Sequence, residues 1–150
     1  MRYHGRDLRK GRVSETGRVY LVTTVTANRE RMFADFFIGR HIPIVLKQID
    51  ADGAAESLAW VVMPDHVHWL LALRKDDLSQ VVQRFKSRTA RAINPHVGRS
   101  GAVWQRGFHD HALRAEEDLQ ATARYLVANP LRAGLVERIG DYPLWDAIWL

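Results

Sequence analysis

The chain opens its ordered pattern at Val19-Tyr20-Leu21-Val22-Thr23-Thr24-Val25-Thr26, a run rich in β-branched and aromatic residues that predicts a first strand. A polar turn around Asn28-Arg29-Glu30 follows. Ile42, Val45, Leu46 and Ile49 then recur at helical spacing, and Pro43 fits the first turn of a helix starting near His41. Asp50-Ala51-Asp52-Gly53 closes it. Two apolar runs, from about Ser57 to Met63 and from His66 to Leu73, flank a Pro64-Asp65 turn signal and predict a β-hairpin. Side chains alternate faces along a strand. Val67, Trp69, Leu71 and Leu73 therefore take the core face, and His66 and His68 project together from the other.

Asp76-Asp77 open a second helix, with acidic residues at its positive end and Leu78, Val81, Val82, Phe85 and Ile93 as its buried stripe. Arg84, Arg88 and Arg91, at i, i+4 and i+7, make a basic stripe on another face. Asn94-Pro95 are expected to stop this helix. A fourth strand is predicted over Val103 to Leu113. Glu116-Glu117-Asp118 start a third helix, expected to end at Asn129 because a residue before proline disfavours the helical region. The tail carries Tyr142, Trp145, Ile148 and Trp149 and is expected to pack back. The order β-α-β-β-α-β plus a helix predicts an α+β, ferredoxin-like antiparallel sheet with two helices on one face. The histidines would look out of an open second face.

At 150 residues one domain spanning 1–150 is expected, with 1–18 as a basic arm and 136–150 as the packed tail. There is no cysteine, which excludes disulfides and thiolate metal sites and suits a reducing, cytoplasmic compartment. No apolar run approaches the roughly 18 residues of a membrane span, so no membrane partner is expected. Lys and Arg number 22 against 17 Asp and Glu, a formal charge of +5 that favours a polyanionic partner.

Seven histidines would produce about 0.3 His-x-His pairs by chance, and two occur: His66-Val67-His68 and His109-Asp110-His111. The first follows a turn and alternates with core residues, so its imidazoles can form two arms of a metal clamp. Such a site needs a further ligand and open positions. Tyr125 and Asn129, at i and i+4, share one face of the third helix. Taken singly, a tyrosine at a core edge is usually a packing residue and an Asn before Pro a helix stop.

Several stretches together carry more information than any one of them. Gly17-Arg18-Val19-Tyr20, Met63-Pro64-Asp65-His66-Val67-His68, Phe85-Lys86-Ser87, Trp104-Gln105-Arg106-Gly107-Phe108-His109-Asp110-His111 and Tyr125-Leu126-Val127-Ala128-Asn129-Pro130-Leu131-Arg132-Ala133-Gly134-Leu135-Val136 occur in that order. In this combination the chain resembles the REP-associated tyrosine transposases of the HUH (His-hydrophobic-His) single-tyrosine superfamily, from about Arg18 to Trp145. The resemblance implies a metal-dependent endonuclease and strand transferase acting on single-stranded DNA with palindromic hairpins. It implies Tyr125 as nucleophile, forming a 5′-phosphotyrosine. His66, His68 and Asn129 are then ligands of Mg²⁺ or Mn²⁺, although insertion-sequence relatives carry Gln where this chain has Asn129. Arg6, Arg12 and Arg18 of the arm and the Arg84, Arg88 and Arg91 stripe become DNA-contact candidates. His109 and His111 are read as lining the DNA channel, as supporting the site, or as ordinary core or surface histidines. A nucleoid-associated monomer is favoured, a homodimer possible.

Two other classes fit the bare residues. A non-catalytic nucleic-acid-binding module on a ferredoxin-like sheet would bind without cleaving. A metal hydrolase of small phosphoesters would need a water-activating base and would leave no covalent adduct.

Overall fold

The computed structural model describes residues 17–98, 101–114 and 117–149. Among them the strands β1 (Val19–Val25), β2 (Ala55–Met63), β3 (His66–Leu73), β4 (His109–Leu113) and β5 (Trp145–Ala147) form one antiparallel sheet in the order β4-β1-β3-β2-β5. The helices are α1 (Phe36–Gly39), α2 (His41–Ala51), α3 (Leu78–Val97), α4 (Glu117–Val127) and α5 (Asn129–Arg132). The first four strands have the ferredoxin-like order expected of the α+β reading. No helix among the described residues is long and apolar enough to cross a membrane.

One sheet face carries the main core. Tyr20, Val22, Val67, Trp69 and Leu71 pack there against Ile42, Leu46 and Ile49 of α2 and Val81, Phe85 and Ile93 of α3. Phe85 is fully buried and stacks between Trp69 at 5.4 Å and Trp104 at 5.5 Å. Phe85→Ala is therefore expected to cost about 3–5 kcal/mol, read from the urea midpoint. α3 begins at a capping box: the Asp77 carboxylate accepts from Gln80 N–H at 2.9 Å, and Gln80 Oε1 accepts from Asp77 N–H at 3.0 Å.

Three boundaries and one added strand differ from the sequence reading. α3 passes through Asn94-Pro95 and stops at Gly98, whose φ of 66° suits a left-handed cap. The proline costs only the bond that residue 95 would have given to the Arg91 carbonyl, so one further turn survives. β4 starts at His109 rather than Val103. Val103 to Gln105 still bond the end of β1, through Ala27 N–H to the Val103 carbonyl, Gln105 N–H to the Val25 carbonyl and a Thr26–Trp104 bridge, and the Gln105 and Gly107 carbonyls accept from the Lys86 ammonium. The third predicted helix ends at Val127, and Pro130 sits in the first turn of α5. β5, three residues long, shows no alternation of its own and was not expected.

The second face is not open over β2. Ala123, Leu126 and Val127 of α4 bury Leu58, Ala59, Val61 and Met63 there. The tail packs back, as Tyr142 Oη donates to the Val62 carbonyl at 2.6 Å and β5 pairs with β2.

Candidate active site

His66 and His68 open β3 on the face that α4 approaches, with ring centroids 4.8 Å apart and nearly perpendicular. Each ring is anchored through Nδ1. His66 Nδ1–H donates to Asp65 Oδ1 at 2.7 Å, and His68 Nδ1 shares a 2.8 Å hydrogen bond with Thr23 Oγ1. Both Nε2 atoms are thereby left as the unused ring nitrogens, the arrangement usual for metal-binding histidines. Burial pushes the His68 pKa down to about 3, helped by the neighbouring His66 and Arg132. Its imidazole is thus neutral at physiological pH, with a lone pair available.

This shift has a measurable consequence for the metal-free chain. Unfolded His68 takes up a proton below 6.5, whereas folded His68 resists it until about 3. Stability that is complete above pH 6.5 is therefore lost as pH falls toward 3. Urea midpoints at pH 7 and pH 5 should differ more in the parent chain than in His68→Gln.

Asp65 is itself held. Burial would raise its carboxyl, but the His66 hydrogen bond and the His66 and Arg29 charges bring it below the ordinary carboxylate value. Arg29 Nε donates to its Oδ2 at 3.1 Å. Asn28 and Arg29 adopt φ of 57° and 51°, a left-handed pair that is costly for Arg. The polar turn read at this position therefore brings a cation to the carboxylate that orients His66.

The other residues arrive from α4 and α5. Leu126 and Val127 pack in one cluster with Val61 and Met63, the β2 partners of His68 and His66. Tyr125, on the outer side of α4, is 67% exposed. The Arg132 guanidinium lies 3.6 Å from its ring centroid, and the same charge bears on His68. Arg132 thus lies over the phenol while its charge reaches His68. Asn129, half-buried, gives its amide nitrogen to the Leu126 carbonyl at 3.0 Å, which leaves the amide oxygen as its donor atom. Among the described residues no three His, Cys, Asp or Glu side chains gather as a metal-ligand group, so a third ligand drawn from them would be of another type.

The remaining candidates are dispersed. Thr23 pairs with both His68 and His109, so these three share one row and one face, with His109 two strands from His68. His111 is exposed on the same face, opposite Leu21. The basic stripe splits: Arg84 pairs with Asp76 at 3.0 Å and Arg88 with Asp52 at 2.7 Å, whereas Arg91 is exposed. Arg18 enters β1, its carbonyl accepting from Leu73 N–H at 2.9 Å. Arg6 and Arg12 lie outside the described residues. Thr23, Asp65 and Arg132 had not been singled out, although Arg132 at i+7 from Tyr125 continues the Tyr125–Asn129 spacing.

A family model described as transposase IS200-like matches residues 16–129. The chain belongs to this family. A Haemophilus influenzae protein assigned as a REP-associated tyrosine transposase is 27% identical over 138 residues, covering 85% of this chain and 78% of that protein. The REP-associated tyrosine transposase of Escherichia coli K12 is 32% identical over 106 residues, 69% of this chain and 59% of its own length. The solved structure of a REP-associated tyrosine transposase bound to a REP hairpin superposes with a TM-score of 0.72 at 28% identity, covering 89% of this chain and 79% of that one. The IS200-like chain described here is accordingly a DNA-processing enzyme of the HUH tyrosine-transposase type.

Proposed function

We propose that this transposase cuts and rejoins single-stranded DNA at hairpin-forming palindromes, with Tyr125 as covalent nucleophile and a divalent cation at His66, His68 and Asn129. The observation that carries the reading is the pair of Nδ1-anchored imidazoles, one of which feels the charge of the guanidinium that lies over Tyr125. A structural relative bound to a REP hairpin supports the substrate class.

The donor set fits a cation. His68 is neutral, the His66 ring is oriented by Asp65, and the Asn129 oxygen has been freed by its own amide nitrogen. Two imidazoles and an amide oxygen leave positions for water and suit Mn²⁺ or Mg²⁺. When bound, such a cation would supply Lewis-acid polarisation of a phosphate oxygen.

Tyr125 Oη would attack the scissile phosphorus, forming an O–P bond as the bond from phosphorus to the 3′-oxygen breaks. The products are a 5′-phosphotyrosine and a free 3′-hydroxyl, which takes up the equivalent of the phenol's proton. One phosphodiester replaces another, so the step is nearly energy-neutral and reversible, as rejoining requires. Arg132 would hold the ring and offset phosphate charge between phenol and histidines.

The test is a denaturing gel of an end-labelled hairpin strand with Mn²⁺ and with chelator. A protein–DNA adduct that survives denaturation and disappears with chelator is expected. Binding with no adduct under any divalent cation would overturn the proposal.

A further inference from the structure

The segment after β1 folds over the hairpin turn that leads into the histidine pair. Thr26 N–H donates to the Asp65 carbonyl at 3.0 Å, and Phe33 N–H donates to the Pro64 carbonyl at 3.0 Å. The Thr26 hydroxyl, fully buried, is shared between the Glu30 and Asp65 carbonyls at 2.8 and 3.1 Å. These bonds fix where the Pro64-Asp65 turn sits. They do not fix how the Asp65 carboxylate is turned, which is set through its two oxygens. Oδ1 accepts from His66 Nδ1–H at 2.7 Å, and Oδ2 accepts from Arg29 Nε–H at 3.1 Å.

Arg29 reaches that carboxylate from a strained position. Asn28 and Arg29 are consecutive left-handed residues, with φ of 57° and 51°. Asparagine relieves such a conformation through its short polar side chain, and arginine has no such relief. The turn they occupy buries no residue, and the Arg29 side chain is 61% exposed. No apolar packing therefore offsets the strain, and an ion pair with so exposed a cation adds little stability. Strain held without a gain in stability points to a role at the neighbouring site. The two histidines differ in the same sense. His68 is anchored by the Thr23 hydroxyl on the paired strand, whereas the anchor of His66 sits in a turn and needs a brace.

We propose that Arg29 is a positioning residue for the cation site. It holds the Asp65 carboxylate, and the carboxylate holds the His66 ring in the orientation and tautomer that leave Nε2 as the metal donor. Outer-shell partners of this kind govern the affinity of a ligating histidine. The left-handed turn at Asn28-Arg29 then serves cation affinity. The inference rests on the metal reading above and adds to it a residue outside the ligand set.

The test is calorimetric titration of the full chain with Mn²⁺ in the absence of DNA, beside thermal melts of the metal-free protein. Arg29→Gly and Arg29→Ala both remove the guanidinium, but only glycine adopts a φ of 51° without strain. Arg29→Gly should therefore melt a few degrees above Arg29→Ala. Both should nevertheless bind Mn²⁺ about fivefold more weakly than the parent, somewhat less than the roughly 10–100-fold loss typical of a direct outer-shell partner. Removing a positive charge would by itself tighten cation binding, so a loss reports orientation and not charge. Asp65→Ala should show the larger loss, and adding Arg29→Gly to it should change the affinity no further. If Asp65→Ala does not melt cooperatively, the two Arg29 variants carry the test alone. Mn²⁺ affinity that is unchanged or raised in both, or that follows their melting temperatures, overturns the inference while His66→Ala still abolishes binding. A parent that binds no Mn²⁺, or binds it equally well after His66→Ala, overturns the metal reading and this inference with it.

Discussion

Tyr125→Phe should abolish the denaturation-resistant DNA adduct, lowering strand cleavage by roughly a thousandfold or more. The substitution removes one oxygen from a ring that is 67% exposed, and it leaves the Arg132 stack available to phenylalanine. Stability and hairpin affinity should therefore stay close to those of the parent. That separation matters, because a lost adduct in an unfolded protein would say nothing about the nucleophile. The other tyrosines among the described residues are poor substitutes. Tyr20 is buried in the helix-covered core, and the Tyr142 hydroxyl is donated to the Val62 carbonyl while burial raises its pKa. An adduct of undiminished yield in Tyr125→Phe would remove Tyr125 from the mechanism.

His66→Ala and His68→Ala should each reduce cleavage on the order of 10²–10³-fold, the loss expected when Lewis-acid stabilisation worth several kcal/mol is removed. Calorimetric titration with Mn²⁺ in the absence of DNA gives an independent reading, and each variant should lose the binding isotherm. The two should differ in stability. His68 lies in the paired row with Thr23 and Val61, and truncation strands the Thr23 hydroxyl, so His68→Ala should melt earlier than His66→Ala. Unchanged Mn²⁺ binding in both variants would show that these imidazoles hold no cation.

The hairpin was legible because its signal is local. The Pro64-Asp65 turn and the alternation on either side put Val67, Trp69 and Leu71 in the core with the histidines opposite, and the registers of β3 against β1 and β2 agree. Ends governed by tertiary forces were not legible. Lys86 reaches from α3 to take two carbonyls in the segment ahead of β4, a contact between residues about twenty positions apart. The basic stripe was read correctly as a spacing, yet Asp52 and Asp76 take up two of its three arginines. No periodicity along α3 could have announced those partners.

By itself the sequence determined which residues share a face: period-two alternation couples His66 to His68, and helical spacing couples Tyr125 to Asn129. Both follow from backbone geometry over a few residues. Only the tertiary structure decided that α4 settles on the histidine side of β2, that Arg132 lies over Tyr125 with its charge reaching His68, and that Thr23 and Asp65 anchor the two rings. Those arrangements join residues up to about sixty positions apart. They depend on which apolar faces bury one another, and local backbone preference carries no information about that choice.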